Sequence, residues 1–120
     1  MLAASASGEI FASPSARQVE AAIRSVPSDK GTILVITNYT GDCLHFGMAC
    51  EKANASGWQK GKVAVITCGD DVAVGSKKGG LVGRRGLPGQ LLGMLFSVHN
   101  FSHEVVIETR ATSTELTEWL

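Results

Sequence analysis

The clearest signal in the chain is a change of pattern between residues 32 and 42. Thr32-Ile33-Leu34-Val35-Ile36-Thr37 is an aliphatic run that passes directly into the polar turn Asn38-Tyr39-Thr40-Gly41-Asp42. A continuous run of this kind marks a parallel strand covered on both faces. Upstream, Ser15 with Gln18 three positions later forms a capping-box pattern, in which each side chain satisfies a backbone N–H at a helix start. Val19, Ala22, Ile23 and Val26 then recur at helical spacing, and Pro27 with the Ser28–Gly31 turn ends that helix. Beyond the polar turn, Phe46, Ala49, Cys50 and Ala53 repeat the spacing, with Gly57 as terminator. Lys62–Thr67 reads as a second buried strand.

Two aliphatic strands separated by a helix make a crossover that requires parallel pairing. The chain therefore belongs to the α/β class, as a partial parallel, Rossmann-like sheet with flanking helices. The outer parts are less regular. Residues 1–12 are mostly Ala, Ser and Gly, and a short strand is expected around Glu9–Ala12. Residues 68–86 carry no period and many glycines, a loop longer than connection alone requires. A further helix is expected from Leu87-Pro88, using Leu91, Leu92 and Leu95. The last residues, including Val105-Val106-Ile107, have no functional reading.

Composition narrows the partners. A chain of 120 residues makes at most one domain, and eleven basic side chains cancel eleven acidic ones, so no long-range field selects nucleic acid or an anionic membrane. Basic and aromatic residues do not interleave as a base-stacking surface would need. No apolar run approaches the roughly 20 residues of a membrane span. Three cysteines without Cys-x-x-Cys spacing favour a reducing compartment, and a cytoplasmic location is expected.

Candidate chemistry gathers at the carboxyl ends of the strands, where ligands bind in open α/β sheets. Asn38, Thr40 and Asp42 should therefore lie at a mouth rather than in a core. Asp42 reads either as a helix N-cap or as a ligand-facing carboxylate. Asp70-Asp71 follows the second strand, as a Mg²⁺ pair or as a turn and helix cap. Lys77-Lys78-Gly79-Gly80 and Gly83-Arg84-Arg85-Gly86 form a basic glycine-rich loop able to cradle phosphate, without the Walker A ending. His45 reads as a solvated residue of the second helix. His99 and His103 stand at metal-ligand spacing with no third ligand evident, so no metal site is expected.

Asn38-Tyr39-Thr40-Gly41-Asp42 after its strand, Gly8-Glu9-Ile10-Phe11-Ala12-Ser13-Pro14-Ser15 upstream, Asp70-Asp71-Val72-Ala73 and Gly83-Arg84-Arg85-Gly86-Leu87 downstream occur together in order. In these pieces the chain resembles the substrate-binding domain of the dihydroxyacetone (glycerone) kinases. The resemblance covers residues 1–93 and implies a partial domain of that type, followed by a divergent tail over 94–120. It implies ATP-dependent phosphorylation of dihydroxyacetone in the parent enzyme, a step that rests on positioning and charge stabilisation. Asp42 takes the catalytic role, binding the ketose hydroxyls and assisting proton transfer. Thr37 and Asn38 take neighbouring substrate-binding positions, although the family's Lys stands where this chain has Thr37. Arg84 and Arg85 are assigned to a phosphate or partner loop.

The same resemblance places the family's glycine-rich, His-containing segment ahead of Met1 and its ketose-bonding His beyond residue 120. Mg-ATP is expected on a separate nucleotide-binding kinase domain and not on this chain alone. The partners implied are dihydroxyacetone or a similar small ketose, that kinase domain and a possible homodimer. Catalysis by these residues in isolation is not expected, and marginal folding or self-association is. The alternatives are a non-catalytic ketose-binding or regulatory module, and an unrelated phosphate binder using residues 77–86.

Overall fold

The computed structural model describes residues 3–57, 63–73, 83–99 and 104–109. The elements in order are β1 (Ala4–Ser7), α1 (Ala16–Ser25), β2 (Thr32–Thr37), α2 (Thr40–Ser56), β3 (Val63–Cys68), α3 (Pro88–His99) and β4 (Glu104–Thr109). The four strands form one sheet in the order β1-β4-β2-β3, and every pairing is parallel.

Paired residues of parallel strands present their side chains to the same face, and alternate residues to opposite faces. Thr32 and Leu34 pair with Val63 and Val65, on the face where Leu34, Ile36 and Val63 join Val19, Ile23, Phe46, Ala49 and Ala53 in the core. The two helical stripes read from the sequence are thus the buried faces of α1 and α2. Ser15 caps α1 with the full reciprocal box, and Gly57 closes α2 at φ 62, a left-handed conformation that glycine adopts without a Cβ penalty.

Three expectations change. The first strand lies at Ala4–Ser7, while Glu9–Ala12 is a turn closed by Ala12 N–H donating to the Glu9 carbonyl at 3.0 Å. Phe11 has φ 56 there and is 80% exposed. The apolar pair Ile10-Phe11 suggested a strand, but short Ala and Ser side chains suffice in β1 because only Ala6 is buried. β3 is an edge strand and not a fully buried one, with Ala64, Ile66 and Thr67 exposed. On α3, Leu91, Leu92 and Leu95 are all more than half exposed, so that leucine set does not face the core. Meanwhile Val105-Val106-Ile107 form the backbone of β4, which is inserted between β1 and β2. Trp58, Lys77-Lys78-Gly79-Gly80, His103 and Trp119 lie outside the described residues.

One ionic group ties the helices that cover the core. Glu20 of α1 accepts from Arg24 at 2.6 Å and from Lys52 of α2 at 2.7 Å. The hydrogen bond from Lys52 is the main influence holding the Glu20 carboxyl below its ordinary value of 4.5; burial opposes it, and the Lys52 and Arg24 charges add to it. A carboxyl lowered by folding stabilises the fold fully above its unfolded value and loses that contribution as pH falls through the folded value. Glu20→Gln is therefore expected to lower the thermal midpoint at pH 7, with the deficit shrinking as the pH is lowered below the ordinary value of 4.5. Parallel melting curves of the two proteins against pH check this, and a constant deficit down to acid pH contradicts it.

Candidate functional site at the exit of the central strand

The carboxyl end of β2 is where chemistry-bearing residues converge. The backbone leaves Thr37, turns at Asn38 and enters α2 with Tyr39 as its N-cap residue. Cys43 N–H donates to the Tyr39 carbonyl at 2.9 Å, closing the first helical turn. Tyr39 offers no side-chain cap. Asp42 is not the cap either: it is the third helical residue, in the first turn, where the positive end of the helix dipole favours a carboxylate.

Asp42 is fully buried and Thr37 is 5% exposed. The Thr37 hydroxyl donates to Asp42 Oδ2 at 3.1 Å. The expectation that Asp42 opens on a mouth is corrected on this point, because the first turn of α2 is covered from two sides. A hydroxyl has one O–H to give. Thr37 gives it to Asp42, so it stands as an orienting partner of that carboxylate.

One cover is the segment before α1. Pro14 is fully buried, and a Cβ on Gly41 would lie 2.7 Å from Ser13 Oγ, so a side chain there would have to turn the Ser13 hydroxyl aside. The other face of the same segment meets His45, whose Nδ1 stands 2.7 Å from the Pro14 carbonyl. A carbonyl only accepts, so Nδ1 carries the proton. His45 is half-buried and ties the segment to α2, in place of the solvated role expected of it.

The second cover is the basic loop. Asn38 Nδ2 donates to the Arg84 carbonyl at 2.9 Å, and Arg85 Nε donates to the Asn38 carbonyl at 3.3 Å. The Arg85 guanidinium lies 4.3 Å from the centre of the Tyr39 ring, within cation–π range. Asp70 Oδ2 accepts from Gly89 N–H at 3.2 Å, capping the start of α3, and Asp71 Oδ1 accepts from Ala73 N–H at 3.0 Å. Asp70-Asp71 thus takes its turn-and-cap form. Both carboxylates accept from backbone N–H groups, and among the described residues no group of three or more His, Cys, Asp or Glu side chains is placed to hold a metal ion. Of the residues that matter here, Ser13, Pro14 and Tyr39 stood in the sequence only as members of motif segments, and His45 only as a solvated residue; none was given a role at the site.

Cys50 and Cys68 are buried, and burial pushes both thiols up, with the charges of Glu51 and Asp70 adding to the effect. Raised thiols are poor nucleophiles at neutral pH, so these two are packing residues.

Fold and site together define a parallel α/β domain whose polar residues collect at the carboxyl end of its central strand. The Dak1 domain model matches residues 1–99, and the chain belongs to that family. It is 55% identical over 91 residues to dihydroxyacetone kinase 2 of Saccharomyces cerevisiae, covering 76% of this chain and 15% of that protein. The crystal structure of the native dihydroxyacetone kinase of C. freundii superposes with a TM-score of 0.60 at 40% identity, over 71% of this chain and 14% of that one. The same enzyme in complex with AMP-PNP and Mg²⁺ also gives 0.60, at 39% identity, with coverage of 71% and 14%. The chain spans about one-seventh of the length of these relatives. No described helix is long and apolar enough to cross a membrane.

Thr37→Val removes the donor that meets a buried carboxylate and leaves Asp42 short of one bond. The expected loss is about 1–3 kcal/mol of unfolding free energy in a denaturant titration. A change within error of zero contradicts the Thr37–Asp42 pairing.

Proposed function

We propose that this chain supplies the ketose-recognising strand exit of a dihydroxyacetone kinase. The parent reaction moves the γ-phosphoryl of ATP to a primary hydroxyl of dihydroxyacetone: a P–O bond forms to the ketose, the bond to ADP breaks, and the hydroxyl proton is lost. The observation that carries the reading is Asp42, held by Thr37 at the first turn of α2, in a chain of the Dak1 family. A carboxylate there accepts a hydrogen bond from the ketose hydroxyl and helps to draw off its proton. Asp42 has no exposed surface, so a ketose reaches it only as the Ser13-Pro14 segment or the basic loop moves aside.

Mg-ATP belongs on a separate nucleotide-binding domain. Arg84 and Arg85, on the loop that meets the strand exit, are the residues offered to such a domain. A cytoplasmic location suits a kinase acting on a small free ketose.

Dihydroxyacetone is expected to bind the chain saturably in a calorimetric titration, and Asp42→Asn to weaken it at least tenfold, since hydrogen bonds to a charged group are worth about 1.5–3 kcal/mol. Equal affinity of the two proteins contradicts the assignment of Asp42. ATP consumption dependent on dihydroxyacetone is expected to be absent from these residues alone, and turnover matching a whole dihydroxyacetone kinase contradicts that. Binding without turnover is what a ketose-binding module would also show. Adding a nucleotide-binding kinase domain separates the two, because restored turnover supports the kinase reading.

A further inference from the structure

Asn38 and the loop Gly83–Gly86 are separated by more than forty positions in sequence, yet consecutive loop residues are fitted to it. The Asn38 side-chain amide donates to the Arg84 carbonyl at 2.9 Å. Its backbone carbonyl accepts from Arg85 Nε at 3.3 Å, and the Arg85 guanidinium covers the ring of the next residue, Tyr39. Gly83 has φ 71, and a Cβ there would lie 2.7 Å from Asn38 Nδ2. The other end of the amide, Oδ1, faces Cys43 Sγ at 3.7 Å, a weak donor on α2. Because Arg84 presents a carbonyl, the NH₂ end must point at the loop, and the oxygen end is turned to the helix. Both ends of the side chain are thus committed within the protein.

We propose that Asn38 is a positioning residue: a latch that seats the Gly83-Arg84-Arg85-Gly86 loop over the exit of β2, with no direct contact to ligand. The consequence for ketose binding rests on the function proposed above, whereas the latch itself does not. A seated loop holds its two arginines at a fixed place beside the strand exit. An unlatched loop leaves them on a glycine-flanked segment with many accessible conformations. Asn38 therefore governs the site through the loop.

Trypsin cuts after arginine, so the full chain reports the latch directly through cleavage after Arg84 and Arg85. Proteolysis of a locally opened segment follows the population of the open form when closing is fast. Asn38→Asp keeps the shape and the oxygen facing Cys43, and it sets an oxygen against the Arg84 carbonyl. Cleavage at the two loop sites is expected to rise about tenfold, in line with about 1–1.5 kcal/mol for a lost hydrogen bond. Cleavage after Arg24, in α1, stays unchanged and shows that the fold is intact. Unchanged cleavage at the loop overturns the proposal. Should Asn38→Asp fail to fold, Gly83→Ala serves: it releases the loop in the natural background and adds less in an Asn38→Ala background, where the clash is gone and only the strain of a side chain at φ 71 remains. Equal effects in the two backgrounds overturn the latch.

Dihydroxyacetone affinity gives the second readout. Asn38→Asp weakens binding in the natural background and has no further effect once Gly83→Ala has released the loop. An undiminished loss in both backgrounds makes Asn38 a ligand contact and overturns the proposal. If the natural chain binds no dihydroxyacetone, the ketose reading falls, and the cleavage pattern alone decides the latch.

Discussion

A buried carboxylate needs hydrogen bonds where it sits, and the bond from the Thr37 hydroxyl to Asp42 is the contact around which this domain is arranged. It joins the last residue of β2 to the first turn of α2, the helix whose Phe46, Ala49 and Ala53 share the core with Leu34, Ile36 and the α1 residues Val19 and Ile23. The placement of the charge favours the same outcome, since the first helical turn is where a carboxylate is most welcome.

Covering such a group requires backbone to approach closely, and glycine permits it. Gly41 accepts Ser13 at the helix start, and Gly83 accepts the Asn38 amide. Two segments distant in sequence are thereby drawn to one strand exit, each anchored by a hydrogen bond to a backbone carbonyl: His45 to Pro14 and Asn38 to Arg84.

The helices and the two aliphatic strands were legible because period and capping act locally. Ser15 with Gln18 and the stripe from Val19 to Val26 carry their own geometry. β1 was not legible, since Ala4–Ser7 has no alternation of large side chains and is defined by its pairing with β4. Nor was the central place of β4, a non-local pairing that no local pattern encodes. At the site, Asp42, Thr37 and Asn38 could be named from the strand exit and the family motif. Their burial could not, because it depends on Ser13, Pro14 and the 83–86 loop folding over them. The surface of α3 is the converse case: Leu91, Leu92 and Leu95 have a core-like composition and remain exposed, because composition does not say whether a partner face is present.

The account depends on Asp42 being the group that meets the ketose, and the side-chain carboxyl carbon of that residue can be watched directly. Following its ¹³C resonance while dihydroxyacetone is added should show a saturable displacement that the Thr37 pairing alone does not produce. A resonance that stays fixed while the ketose demonstrably binds elsewhere on the chain would contradict the account.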